Sequence, residues 1–148
     1  MPAHLNETRL SSTPKYLLRG TAVWFLIALA ETVHGILRTL FLQPVVGDQA
    51  SRQIGVFTGS LMILLIAYAA MGWIGARDTR PLLTLGLMWV LLMILFEVGL
   101  GRAIGLSWAR IISDYIPWKG GFMLLGMLVL AFSPLIATRL RSLRSSNP

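Results

Sequence analysis

The chain has no cysteine, which excludes disulfides, thiolate metal sites and a cysteine nucleophile. Charge is nearly as scarce. Asp, Glu, Lys and Arg make up 13% of the residues, against roughly 25% in an ordinary soluble domain. Acids are the rarer sign, six against thirteen Lys and Arg. There is no Gly-rich phosphate loop, no Ser nucleophile elbow and no HExxH helix, so three common routes to catalysis lack their signatures. Internal repeats and low-complexity linkers are also missing, which leaves one domain over residues 1–148. The net charge of +7 suits nucleic acid only where basic residues interleave with polar and aromatic ones. Here they flank apolar runs, the distribution that orients spans in a bilayer, and no nucleic-acid partner is expected.

What the chain has in excess is apolar length. Hydrophobic residues are 55% of the sequence. They gather into four runs at 20–42, 54–75, 82–104 and 120–138, each near the roughly 20 residues that a spanning helix requires. The predicted fold is all-α, a four-helix transmembrane bundle. Connectors over 43–53 and 76–81 are short enough to make neighbours antiparallel in an up-down arrangement. The longer link at 106–119 mixes Trp108, Ile111, Ile112, Tyr115 and Trp118 with Arg110, Asp114 and Lys119. It reads as a short interfacial helix or turn between helices 3 and 4, with Ser107 as its N-cap.

Lys and Arg set the expected orientation. One side carries Arg9, Lys15, Arg19, Arg77, Arg80, Arg139, Arg141 and Arg144; the other carries Arg52, Arg110 and Lys119, with Arg38 and Arg102 near its edge. Both termini are therefore expected in the cytoplasm, with the lipid bilayer as the first partner. The run from Ala22 to Ala30 also has the shape of a secretory signal, and cleavage before Glu31 would leave three spans. Against cleavage, the n-region is long and Thr32 to Leu42 would lose its apolar partner, so four spans are expected.

The first span carries Glu31, His34 and Arg38 on one helical face, at spacings of three and four. Ionisable groups inside a bilayer persist where they are paired or used. Span three brings Glu97 to about the depth of His34, with Arg102 near the exit, so Glu31, His34, Arg38, Glu97 and Arg102 form the candidate buried polar cluster. Arg52, Thr58, Asp114, Tyr115 and Lys119 are its candidate rim, and Ser60 of span two falls at a comparable depth. Pairs such as Arg38 with Glu97, or Arg102 with Glu31, would neutralise the charges.

Two roles remain open for this cluster. It is either a lock that fixes helix register or a site for a proton, an anion, a lipid headgroup or a metal. Glu31-Thr32-Val33-His34 matches half of the Glu-x-x-His pattern of di-iron bundles. The second such motif is missing and guanidiniums would repel a dication, so no metal and no cofactor is expected. A base, an acid–base partner and an anion clamp also describe a membrane-embedded enzyme acting on a lipid or lipophilic substrate.

Gly55 and Gly59 form a GxxxG pair that predicts a close helix contact, through Met62, Ile66 and Trp73 on the same face. The partner is a helix of this chain, a second copy or another membrane subunit. Gly101 and Gly105 are read the same way. Ser133-Pro134 predicts a kink in span four, and the seven methionines read as core filler.

The runs Glu31-Thr32-Val33-His34-Gly35-Ile36-Leu37-Arg38, Arg52-Gln53-Ile54-Gly55-Val56-Phe57-Thr58-Gly59 and Phe96-Glu97-Val98-Gly99-Leu100-Gly101-Arg102 resemble those of a group of small four-span bacterial membrane proteins that carry no assigned activity. The resemblance covers most of the chain. It implies a bacterial inner membrane, transfers no catalytic residue, and adds Gly35, Arg52 and Gly59 to the residues of interest. The expected role is a non-enzymatic membrane component, either an accessory subunit or a small proton- or anion-handling protein.

Overall fold

The structure, a computed structural model, describes residues 14–145; Arg9 of the charge count lies outside them. Its long helices are α1 (Lys15–Leu37), α3 (Asp48–Ile74), α4 (Thr79–Ala103) and α6 (Met123–Ser145), joined by the short α2 (Gln43–Val46) and α5 (Trp108–Ser113). No strand occurs among the described residues. All four long helices are long and apolar enough to cross a membrane. The fold is the predicted all-α, four-helix transmembrane bundle, with a short helical link between its third and fourth spans.

The connection between the first two spans differs from expectation. Residues 43–53 are helical almost throughout. A π-helical turn, Arg38–Leu42, carries α1 into α2, and Gly47 alone separates α2 from α3. The cause is local. Pro44 has no N–H for the Leu40 carbonyl and its ring crowds that carbonyl, so the ladder widens there. Gly47 has φ of 83° and ψ of 165°, a conformation open to glycine and strained for other residues.

The order of helices around the bundle also differs from an up-down meander. Helix α1 packs on α3 and α4, and α6 packs on both of those as well, which places α3 diagonally from α4. Spans two and three are consecutive and antiparallel but not neighbours. Their link, residues 75–78, opens on Gly75 in the left-handed region at φ of 80°, which ends α3 by bonding the Met71 carbonyl.

Packing is closest where side chains are smallest. A Cβ on Gly86 would lie 1.8 Å from the Ala131 carbonyl oxygen, so α4 and α6 approach through their backbones at this point. Without a hydrophobic driving force between helices in lipid, such dispersion contacts and interhelical hydrogen bonds hold a bundle together. Trp89, fully buried, donates its indole N–H to the Gly20 carbonyl across α4 and α1 at 2.8 Å. In α6 the buried Ser133 hydroxyl donates to the Leu130 carbonyl, the acceptor that Pro134 leaves open.

The buried stripe of α3 is Ser51, Gly55, Gly59, Ile63, Ala67, Met71 and Ile74. Met62 and Ile66 flank it, and Trp73 is exposed, so the face predicted through those three residues is rotated from the observed one. Gly101 packs on Ile111 of α5. Gly105, at φ of 85°, makes the turn after α4 and is no helix contact.

Candidate functional site

In the half of the bundle that holds Gly47 and α5, called the upper half here, the four long helices leave a cleft of about 520 Å³. Glu31, His34 and Arg38 of α1 line it, with Gly55 and Gly59 of α3 opposite and Glu97 of α4 on a third wall. Met93, Phe96, Met127 and Leu130 provide apolar lining below. Three of the methionines read as core filler, Met93, Met123 and Met127, therefore also bound a cavity.

The glycines of α3 seat the polar side chains of α1. A Cβ on Gly59 would lie 2.8 Å from a Glu31 carboxylate oxygen, and one on Gly55 would lie 2.5 Å from Cδ of Arg38. Both glycines are buried against α1 of the same chain. The spacing extends one turn further to Ser51, whose buried hydroxyl accepts from Arg38 Nη1 at 2.9 Å. Ser51 was not singled out in the sequence; a small residue every fourth position from 51 to 59 was the available signal.

His34 joins the two helices. Its Nε2 lies 2.8 Å from Thr58 Oγ1 and its Nδ1 3.7 Å from Glu31 Oε2. The other Glu31 oxygen, Oε1, is buried without a hydrogen-bond partner. Glu97 accepts from the Tyr115 hydroxyl at 3.2 Å. Burial first, and then the nearby Glu97 carboxylate, push the Tyr115 phenol above its ordinary value. The phenol therefore stays protonated and acts as the donor.

Above this level lies an ion-pair network between α3 and α5. Asp114 accepts from Arg52 and from Arg110, the latter at 3.0 Å, while Asp48 lies 3.2 Å from Arg52 Nε and 3.3 Å from Arg110 Nη2. The Asp48–Arg52 pair is close but misaligned for a hydrogen bond. Ser107 caps α5 as predicted, accepting from the Arg110 N–H at 3.2 Å. The short helix is thus held at one end by its cap and tied to α3 through Arg52 on Asp114 and Asp48 on Arg110.

Several expected placements are corrected. Arg38 does not pair with Glu97, because its guanidinium is turned over Gly55 toward Ser51. Arg102 does not pair with Glu31. It is exposed, donates to the Leu106 carbonyl at 2.8 Å, and stacks 5.1 Å from the Trp108 ring, outside the cleft. The cluster is not buried either: no charged residue is fully buried among the described residues, and the Glu31 and His34 side chains are 24% and 25% exposed along the cleft wall. Of the candidate rim, Arg52 and Asp114 line the cleft and Tyr115 reaches it through Glu97. Thr58 touches it through His34 but does not line it, and Lys119 is exposed outside it.

The cleft has a lateral opening. Below Glu31, α1 and α4 are joined by the Gly20–Trp89 hydrogen bond, by Thr21 against Met88 and by an edge-on contact of the Trp24 and Phe96 rings. Above it, Ile36 and Leu40 on one side and Leu100 and Ile104 on the other line the cleft while being exposed at the surface. A molecule in the cleft can therefore reach the hydrocarbon between these two helices.

No protein-family model matches the chain, and comparison with curated proteins and with solved structures gives no match. Fold and site together define a multi-pass membrane protein with a polar cleft in one half of its helix bundle.

Proposed function

We propose that the protein is a non-enzymatic component of a bacterial inner membrane, with both termini cytoplasmic, that holds a lipophilic molecule by its polar head in the upper cleft. The observation that carries this reading is the cleft itself. A lock made of ion pairs closes on itself, whereas a space of about 520 Å³ falls within the roughly 300–1,000 Å³ of small-molecule sites. Arg38 has one hydrogen bond, to Ser51, and Glu31 Oε1 has none. Such groups beside a bilayer favour an occupant that satisfies them. The opening between α1 and α4 gives an apolar tail its exit.

Native mass spectrometry of protein extracted in mild detergent tests the reading. The wild type should retain one lipophilic adduct, and Arg38→Gln should reduce its occupancy about tenfold, the effect of losing a charge-assisted hydrogen bond. The melting temperature should change little. A bare wild type, together with a strongly destabilised Arg38→Gln, would return the cluster to the role of a register lock.

One observation favours a membrane-embedded enzyme instead. His34 lies between a carboxylate and the Thr58 hydroxyl, the order of groups used in acyl transfer. Thr58 also lies within reach of its own helix's Ile54 and Gly55 carbonyls, as a structural hydroxyl would. Fatty-acid release from phospholipid that stops with Thr58→Ala would establish the enzyme; its absence in the wild type removes it.

A further inference from the structure

Resting on the reading of the cleft as a lipophile site, we infer that its occupant is a phospholipid with a phosphate–ammonium headgroup, the phosphate at Arg38 and the ammonium at Glu31 and Glu97. The cleft separates charge by level. At the upper level Arg38, Arg52 and Asp114 line the cleft, with Arg110 and Asp48 behind them, so three guanidiniums are set against two carboxylates. Those carboxylates are engaged by Arg52 and Arg110, so Arg38 is the cation without a bonded acid. One level down the imbalance reverses. Glu31 and Glu97 have no cation but the titratable His34, 3.7 Å from Glu31, and Glu97 receives one neutral donor, Tyr115.

The two levels are one helical turn apart. Arg38 rests on Gly55 and Glu31 on Gly59, and four residues of α-helix rise about 6 Å. An ethanolamine headgroup, with two carbons between phosphate oxygen and ammonium, bridges such a gap. Its N–H donors also supply what Glu31 Oε1 lacks. A choline head carries the same charge but offers no N–H, and a glycerol head brings no cation to the two acids. One acyl chain leaves through the α1–α4 opening, past Ile36 and Leu100, and the other lies on the apolar lining at Met93 and Met127.

The test uses delipidated full-length protein in detergent, offered equal amounts of dioleoyl phosphatidylethanolamine, phosphatidylcholine and phosphatidylglycerol, with bound lipid counted by native mass spectrometry. Phosphatidylethanolamine should be retained over each competitor by about tenfold, the size of a charge-assisted hydrogen bond. Glu31→Gln with Glu97→Gln should erase or invert the preference over phosphatidylglycerol, and Glu31→Gln alone should reduce it where the double variant does not fold. Equal or preferred binding of phosphatidylglycerol by the wild type overturns the headgroup assignment, even if Arg38→Gln still loses lipid and so preserves the cleft reading. Retention of no lipid at all overturns both. Soluble glycerophosphoethanolamine should compete weakly; if it displaces the lipid at equal concentration, the chains play no part and the lateral exit is wrong.

Discussion

Gly86→Ala is expected to destabilise the bundle by about 3 kcal/mol or more, at or beyond the upper end for overpacked cores. A single methyl would lie 1.8 Å from the Ala131 carbonyl oxygen, and the obstacle is backbone inside a helix, which cannot rotate away. Relief requires α4 and α6 to separate along their contact. Those helices carry Met93 and Met127 into the cleft, so the site should loosen with the fold. Gly99→Ala in the same helix is the control. No atom lies within 4 Å of its added carbon, and the better helix propensity of alanine should leave stability unchanged or raise it by up to about 1 kcal/mol. Unfolding followed by far-UV circular dichroism reads both variants; equal behaviour of the two would mean that α4 and α6 do not approach at Gly86.

Asp114→Asn is the second large effect. Asp114 takes hydrogen bonds from Arg52 and Arg110 and is 26% exposed, whereas Asp48, the other acid of the network, is 47% exposed. Removing the less solvated acid leaves two guanidiniums sharing the single, more exposed Asp48, at an expected cost of about 2 kcal/mol; Asp48→Asn should cost clearly less, as exposed pairs do. The loss reaches the cleft because Asp114 precedes Tyr115, the donor to Glu97. Thermal melts of both variants in low and high salt check the ranking, and a larger effect at Asp48 would reverse the account of what anchors α5.

Four spans, their antiparallel succession and the Ser107 cap were legible in the sequence because each depends on local composition. So was the identity of most polar residues that line the cleft, since polar groups inside apolar runs face inward or toward one another, whereas its apolar lining was not. The pairing of those groups was not legible. Arg38 and Glu97 look complementary by depth, but the missing side chains at Gly55 and Gly59 let α1 lay its charges on α3 instead. Arg102 has a backbone acceptor and an aromatic face within reach at the end of its own helix, which bonds it locally. The π-helical turn at Arg38 follows from Pro44, a residue that the sequence reading placed in a loop. The diagonal placement of α3 and α4 depends on packing between distant segments, chiefly the small residues at 86 and 131, and no local pattern announces it.

Photo-crosslinking addresses the central claim most directly. The protein, reconstituted with phosphatidylethanolamine bearing a diazirine in one acyl chain, is irradiated and its adducts are mapped by peptide mass spectrometry. Ordinary surrounding lipid should label exposed residues such as Phe25, Leu91 and Leu95. A chain held in the cleft should also label Met93 and Met127, which are 3% and 6% exposed and line only the interior of the upper half. Labelling of those two methionines, lost in Arg38→Gln while surface labelling persists, is the predicted result. Adducts confined to the outer surface in both proteins would contradict a lipid-holding cleft.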